Sequence, residues 1–200
     1  MTDADLGHAL PLPVPSAEIQ ARLAVRRSAP AQALIGPGPS RDEVGRILQL
    51  GARTPDHGKL FPWRFVVMGP QSRAALAERL LPHAERQADP AKARKVLSKL
   101  TAPPLTILVV STPIEGHKVP VWEQQLSAGA ACMNLEHAAN ALGYSASWIT
   151  DWYSYDPQAV ELLELKSGEQ VAGFIHVGTL TEPPLERPRP DLAAKTTYQI

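Results

Sequence analysis

The feature that most constrains this chain is the density of small residues in its longest helical stretch. Between Leu126 and Leu142, nine of seventeen residues are Ala, Gly, Ser or Cys. Small side chains let neighbouring elements approach a helix axis closely. The helix, read from about Val121 to Leu142, is therefore expected at the centre of the fold, covered on several sides. A second constraint is the near-continuous apolar run Leu105–Thr106–Ile107–Leu108–Val109–Val110, the pattern of a strand covered on both faces. Both call for a layered fold, and 200 residues can bury one sizeable core without staples.

The remaining elements follow from local signals. Ser16 caps a helix reaching about Arg27, with Glu18 in its first turn. Residues 29–39, with Pro30, Gly36, Pro37, Gly38 and Pro39, read as a loop. Ser40 and Glu43 form a capping box, after which Val44, Ile47 and Leu48 line one face of a helix ending near Gly51. Trp63–Met68 reads as a strand, and helices follow at about 71–82 and 90–100. A short strand near Ser147–Thr150, a helix near 156–165 and a strand at Val171–Val177 complete the core. Strands and helices interleave without regular βαβ alternation and without a glycine-rich first turn, which favours α+β over a doubly wound nucleotide fold. The twenty prolines cluster at 11–15, 30–39, 103–104 and 183–190, punctuating the chain rather than filling it. The expected organisation is an extended arm over residues 1–15 and a single domain over 16–200 that includes an extended tail from Thr181.

Charge and cysteine content exclude several classes. Twenty Lys+Arg balance twenty Asp+Glu, so there is no electrostatic footprint for nucleic acid or an anionic membrane, and neither partner is expected. A single cysteine, Cys132, excludes an intramolecular disulfide and a zinc site built on several thiolates, and the six histidines show no metal-ligand spacing. No metal is expected. No apolar run reaches the ~18 residues of a spanning helix. The N-terminus lacks a basic region followed by an apolar core, so a cytoplasmic location is expected.

Three segments carry candidate chemistry. Arg26–Arg27–Ser28 offers two guanidiniums and a hydroxyl, donors suited to a phosphate, although cations at a helix end also complement its dipole. Arg53–Thr54–Pro55–Asp56–His57–Gly58–Lys59, in a loop before a strand, would suit a polar ring system; adjacent Asp56 and His57 rarely share the geometry of a relay. Trp148–Ile149–Thr150–Asp151–Trp152 places aromatics at a strand end, where they flank a flat ligand or close the core.

In their order and spacing these segments resemble the FMN-dependent nitroreductase family, in particular its small single-domain members. The resemblance rests on Arg26–Arg27–Ser28 ending the first long helix, Ala52–Gly58, Pro62–Val67, Lys118–Gln124 leading into Ser127–Gly129, the strand Val171–Gly178, and a tail with Arg187–Pro188–Arg189–Pro190. It spans about residues 16–190. It implies an α+β sandwich, with a mostly antiparallel sheet flanked by helices, and a homodimer whose two FMN sites are each built by both subunits. Carried over, Arg26, Arg27 and Ser28 hold the phosphate and ribityl chain. Arg53 and His57 contact the flavin, with His57 reaching toward the partner's cofactor, and Arg53 or Lys59 offers a donor to the ring's pyrimidine edge. The backbone of Trp148, Ile149 and Thr150 lies along the ring, and Arg187 or Arg189 gives a second phosphate clamp.

The implied activity is hydride transfer from NADH or NADPH, through FMN, to a small electron-poor acceptor: a nitroaromatic, quinone or enone. The cofactor carries the chemistry, and no side chain is expected to act as nucleophile or metal ligand. The sequence departs from the family at Phe61, where members usually carry Gln before Pro-Trp; Phe61 is expected either to face the substrate or to turn into the core beside Trp63. A phenyl ring there also keeps open a flavin-binding or flavin-handling protein without turnover.

Overall fold

Several helix starts answer to a local signal. In the computed structural model, which describes residues 7–199, Ser16 Oγ accepts the Ile19 N–H and opens α1 (Ala17–Ala24). The Ser40–Glu43 capping box opens α2 (Arg41–Gly51), satisfying two otherwise orphaned backbone donors. β1 (Trp63–Met68) leads into α3 (Pro70–Ala84), α4 (Pro90–Val96) and the single turn α5 (Ser98–Thr101). Proline at the first helical position suits α3 and α4, since its missing N–H would be unpaired there anyway. β2 (Leu105–Ser111), α6 (Val121–Ala141), β3 (Ser145–Ile149), α7 (Pro157–Glu161) and β4 (Gln170–Gly178) complete the order.

The four strands form one antiparallel sheet in the order β1-β2-β4-β3. Every residue of β2 is buried, as its unbroken apolar run requires. Its alternate side chains feed two cores. Leu108 and Val110 meet Met68, Leu76, Leu80, Leu100 and Phe174 under α3–α5. Ile107 and Val109 meet Ile47, Cys132, Leu135, Ile175 and Val177 under α2 and α6. The architecture is an α+β sandwich, with α6 lying across the sheet. Its small residues serve close approach: a Cβ on Gly51 of α2 would stand 2.4 Å from Leu135 Cδ2 of α6.

Several boundaries differ from the sequence-based expectation. α1 stops at Ala24 rather than near Arg27, so Arg26–Arg27–Ser28 lies in extended chain beyond the helix. No residue of α1 is buried in this chain, and an eight-residue helix without packing has little to prolong it. The helix expected over 90–100 divides at Leu97, whose N–H turns to the Arg94 carbonyl three residues back while Ser98 Oγ donates to the Lys95 carbonyl. The helix expected near 156–165 ends at Glu161, short of Glu164, which has φ +54°. Within the 29–39 loop, Ala31–Ala33 form a 3₁₀ turn and Ile35 bridges Thr179. Of the N-terminal arm, residues 7–15 are exposed and lie outside any helix or strand; residues 1–6 lie outside the described residues.

Candidate functional site

The loop between α2 and β1 is sewn to α6 residue by residue. Thr54 Oγ1 donates to the Gly51 carbonyl at 2.7 Å and accepts Asn134 Nδ2 at 2.8 Å. Ser127 Oγ donates to the Pro55 carbonyl at 2.9 Å and accepts Trp63 Nε1 at 3.2 Å. His57 Nδ1 meets Glu123 Oε2 at 2.8 Å. An ionised carboxylate only accepts, so the hydrogen of that bond sits on Nδ1 and Nε2 is the nitrogen open to a ligand. The buried Gln124 amide bonds Ile114 and Val119, pinning the chain that enters α6.

Asp56 turns the other way from His57. Its Oδ2 accepts the backbone N–H groups of both Leu60 and Phe61, so no Asp56–His57 relay forms. The turn it closes is left-handed at Gly58 (φ +85°), Lys59 (φ +58°) and Phe61 (φ +47°). For the two non-glycine residues this costs about 1–3 kcal/mol each and persists only where surroundings over-determine it. Phe61 is 61% exposed, so its ring is not in the core beside Trp63. Arg53 and Lys59 are exposed on the same loop.

Farther along α6 a second group of residues converges. Arg26 Nη1 donates to Ser28 Oγ at 3.3 Å and stands 3.8 Å from Glu136 Oε2. Glu136 is buried on α6, accepts a hydrogen bond from the Trp148 backbone N–H, and has no partner for Oε1. Burial pushes its carboxyl above the ordinary range, while Arg26 and the Trp148 N–H pull it back. Burial and the nearby Arg26 together lower the His137 imidazole. The tail joins here: Arg27 Nε donates to the Leu185 carbonyl at 2.9 Å, and Arg189 Nη2 donates to the Arg26 carbonyl at 3.2 Å and pairs with Glu186 at 2.8 Å. A cleft of about 260 Å³ opens beside Arg22, Arg26, Arg27, Asn140 and Tyr144.

Between the two groups lies the uncovered side of α6, where Leu126 is exposed and Gly129, Ala130 and Met133 are half-buried. Trp148 walls one side. Its indole lies on Gly173, where a Cβ would meet Nε1 at 2.1 Å, and Nε1 donates to the Ala172 carbonyl. On the other side, Asp56, His57, Glu123 and Ser127 line a cleft of about 320 Å³. Ile149 is half-buried, Thr150 Oγ1 accepts the Tyr155 hydroxyl at 2.8 Å, and Arg187 is exposed, its backbone N–H on Glu186. Burial pushes the Cys132 thiol up to about 12, which removes it as a nucleophile at neutral pH.

The expected residues thus fall into two sets: Arg26, Ser28, Trp148 and Arg189 around Glu136, and His57 with Lys59 and Phe61 around Asp56 and Glu123. Arg53 lies between, its carbonyl at the limit of reach of Asn134 Nδ2. Sequence reasoning missed Glu123, Ser127, Asn134 and Glu136 as the residues that hold the others. One signal was present: Glu136 is the sole acidic residue among the small residues of 126–142, where an unpaired charge is unfavourable.

The sequence model of the nitroreductase family matches residues 34–179. The Escherichia coli (strain K12) protein YdjA, which bears a provisional NAD(P)H nitroreductase name, is 32% identical over 176 residues, covering 88% of this chain and 90% of its own. A Haemophilus influenzae protein with a like name is 34% identical over 150 residues, covering 73% of this chain and 80% of its own. Among solved structures, a nitroreductase-like family protein from Bacillus cereus superposes with a TM-score of 0.80 at 20% identity, covering 94% of this chain and 99% of its own. A nitroreductase with bound FMN from Bacteroides fragilis gives 0.72 at 20% identity, covering 92% and 100%.

Proposed function

From the premise that the chain belongs to the nitroreductase family, we propose that it is an FMN-dependent oxidoreductase that takes hydride from NADH or NADPH and reduces an electron-poor acceptor. Nitroaromatics, quinones and enones are the acceptor classes. The observation that carries the reading is the meeting of Arg26, Ser28 and Arg189, drawn from chain segments far apart in sequence, beside a cleft that Arg22, Arg26 and Arg27 line. Their donors suit a phosphate monoester, and charge-assisted bonds are the strong ones. The long uncovered side of α6, floored by glycine and alanine and walled by Trp148, suits a flat ring. The donor set therefore fits FMN.

When bound, FMN supplies the hydride chemistry, accepting from a nicotinamide and passing on to the acceptor. The chain's own residues bind and orient. Arg26, Ser28 and Arg189 hold the phosphate, with Arg27 keeping the tail in place through Leu185. The backbone of Trp148, Ile149 and Thr150 borders the ring. Arg53 and Lys59 offer donors, His57 Nε2 offers an acceptor, and Phe61 borders the acceptor substrate. Residues 16–200 act as one domain.

We infer that the working unit is a homodimer. His57 and Arg26 sit at the levels of Glu123 and Glu136, about 20 Å apart along α6 at 1.5 Å per residue. That spacing suits a site completed by a second chain. Trp122 and Leu126 of α6, 68% and 53% exposed, and the unburied α1 offer apolar surface for it. A folded 21.6 kDa monomer with FMN bound in sedimentation would overturn the dimer.

The activity test is anaerobic addition of NADH or NADPH to the purified yellow protein. Bleaching within seconds is expected. A lasting yellow colour indicates a flavin carrier without turnover, and a protein that stays colourless after FMN is added overturns the reading.

A further inference from the structure

The left-handed turn ahead of β1 stands apart from every other loop. Two of its non-glycine residues, Lys59 and Phe61, have positive φ, and among the described residues only Glu164 shares that condition. For an aromatic residue such a backbone is a genuine outlier, and it survives only where something imposes it. The imposing group is a single carboxylate. Asp56 Oδ2 accepts the N–H groups of Leu60 and, at 3.1 Å, of Phe61, and the Phe61 carbonyl in turn accepts the Trp63 N–H at 2.7 Å. Asp56 is itself fixed, because the preceding Pro55 carbonyl is held by Ser127 and the following His57 by Glu123. The turn is thus tied to α6 on both sides of Asp56, while the Phe61 ring stands in solvent.

We propose that Asp56 is a specificity-positioning residue: its carboxylate locks the turn and so fixes the Phe61 ring as a rigid wall of the acceptor site beside the His57–Glu123 cleft. The proposal rests on the reductase reading for its substrate side, and not for the lock itself. A backbone held by one carboxylate fixes the Cα–Cβ direction of Phe61, and so limits the ring to the few rotamers open from that one direction. Flat aromatic acceptors that stack on it gain over small aliphatic ones, and that preference needs both the ring and the lock.

The test uses the FMN-loaded protein, with kcat/KM measured on a flat quinone and a small aliphatic enone. Phe61→Gln is expected to lower the quinone-to-enone ratio by about two- to tenfold. Asp56→Ala is expected to lower it comparably, and adding Asp56→Ala to Phe61→Gln to change it by less than about twofold, because one residue acts through the other. Asp56→Asn, which keeps an acceptor oxygen, is expected to restore most of the ratio. An unchanged ratio in Asp56→Ala, or effects that add in full, overturns the proposal.

A second measurement reads the lock without activity. Phe61→Gly relieves a strained backbone only while the strain is imposed. It is expected to raise the Tm of the parent chain by about 2–4 °C and to leave that of Asp56→Ala unraised. Equal rises in both backgrounds overturn the lock. If neither acceptor is reduced but the thermal pair behaves as expected, the reductase reading has failed and the lock stands.

Discussion

The two ends of the groove along α6 are built on different principles. The loop end, residues 53–63, is tied down by side chains of a helix buried on its other side: Glu123, Ser127 and Asn134 each bond a specific loop atom. The arginine end is assembled from extended chain. Arg26–Ser28 follows an unburied helix, and residues 181–199 are exposed throughout. Its links are ion pairs of Arg26 with Glu136 at 3.8 Å and of Arg189 with Glu186 at 2.8 Å, and hydrogen bonds from arginines to carbonyls and to Ser28 Oγ. On the reductase reading, rigid positioning falls where the ring is oriented and adaptable charge where the phosphate is held. Substitutions at the exposed tail arginines should therefore change ligand affinity with little change in stability, and those at the anchors of the loop end the reverse.

The largest effect is expected for Arg26→Ala. Losing a charged hydrogen bond to the phosphate should weaken FMN binding by ~1.5–3 kcal/mol, about ten- to a hundredfold, and leaving the buried Glu136 without its cation should also lower the melting temperature of the apo chain. Riboflavin, which lacks the phosphate, should bind the parent chain much less well than FMN and should be nearly indifferent to the substitution. Titration of both flavins checks this, and equal affinity for the two in the parent chain removes the phosphate assignment.

Acid should act on the interior as well as on the two ends. His176, fully buried between β2 and β3, has its imidazole pushed down to about 3 by burial and by the Arg73 and Lys99 charges. Its folded value lies below its ordinary 6.5, so the stability it contributes is complete above 6.5 and falls as pH drops from there toward 3. Glu169, held at about 2 by its bidentate pair with Arg64, adds a loss that begins only below its ordinary 4.5. Denaturation midpoints measured from pH 7 to 3 should thus decline in two stages. His176→Asn should flatten the stage above 4.5 and make the lower one shallower, leaving there the part that Glu169 contributes.

Much of the frame was legible in the sequence because its causes are local. The Ser40–Glu43 box, the apolar run of β2 and the small residues of α6 each fix an element without reference to distant chain. What was not legible depends on distant partners. The end of α1 at Ala24 reflects missing coverage, which no pattern within residues 16–27 records. Arg26–Ser28 was recognisable as a donor cluster, and the resemblance brought Arg187 or Arg189 to it; that Glu136 lies beside it and that Arg189 is the arginine nearer to it follow only from the fold. Asp56 and His57 are adjacent, which rarely gives the geometry of a relay, and the structure sends one to its own loop and the other to α6; the partners they take instead had no local signal. Phe61 stood out as a departure in composition, while its backbone conformation had no signature in the sequence.

The loop end is broken most directly at Ser127. Its buried hydroxyl serves the Pro55 carbonyl and the Trp63 indole together. Ser127→Ala strands both, at about 1–3 kcal/mol, which for a chain of this size lowers Tm by roughly 2–10 °C. FMN affinity should change far less than in Arg26→Ala. Thermal melts of the apo chain together with FMN titrations separate the two outcomes; a large affinity loss without a Tm change would place Ser127 in ligand binding instead of loop anchoring.

The smallest effect distinguishes the two tail arginines. Arg189 brings its Nη2 within 3.2 Å of the Arg26 carbonyl, beside the donors assigned to the phosphate, whereas Arg187 is placed by its backbone N–H on Glu186 and sends no side-chain bond toward Arg26. Arg189 also shares its charge with Glu186 at 2.8 Å and is exposed, so solvent and that carboxylate both screen it. Arg189→Ala is accordingly expected to weaken FMN by about three- to tenfold, less than Arg26→Ala, and Arg187→Ala by less than about twofold. An exposed charge is weakened further by salt, since the screening length falls from about 10 Å at 0.1 M to about 3 Å at 1 M. The Arg189→Ala penalty should therefore shrink toward the Arg187→Ala value in titrations run at rising ionic strength, while most of the penalty of the half-buried Arg26 persists. A penalty at Arg187 equal to or above that at Arg189 would mean that the tail turns its other guanidinium to the phosphate when the ligand binds.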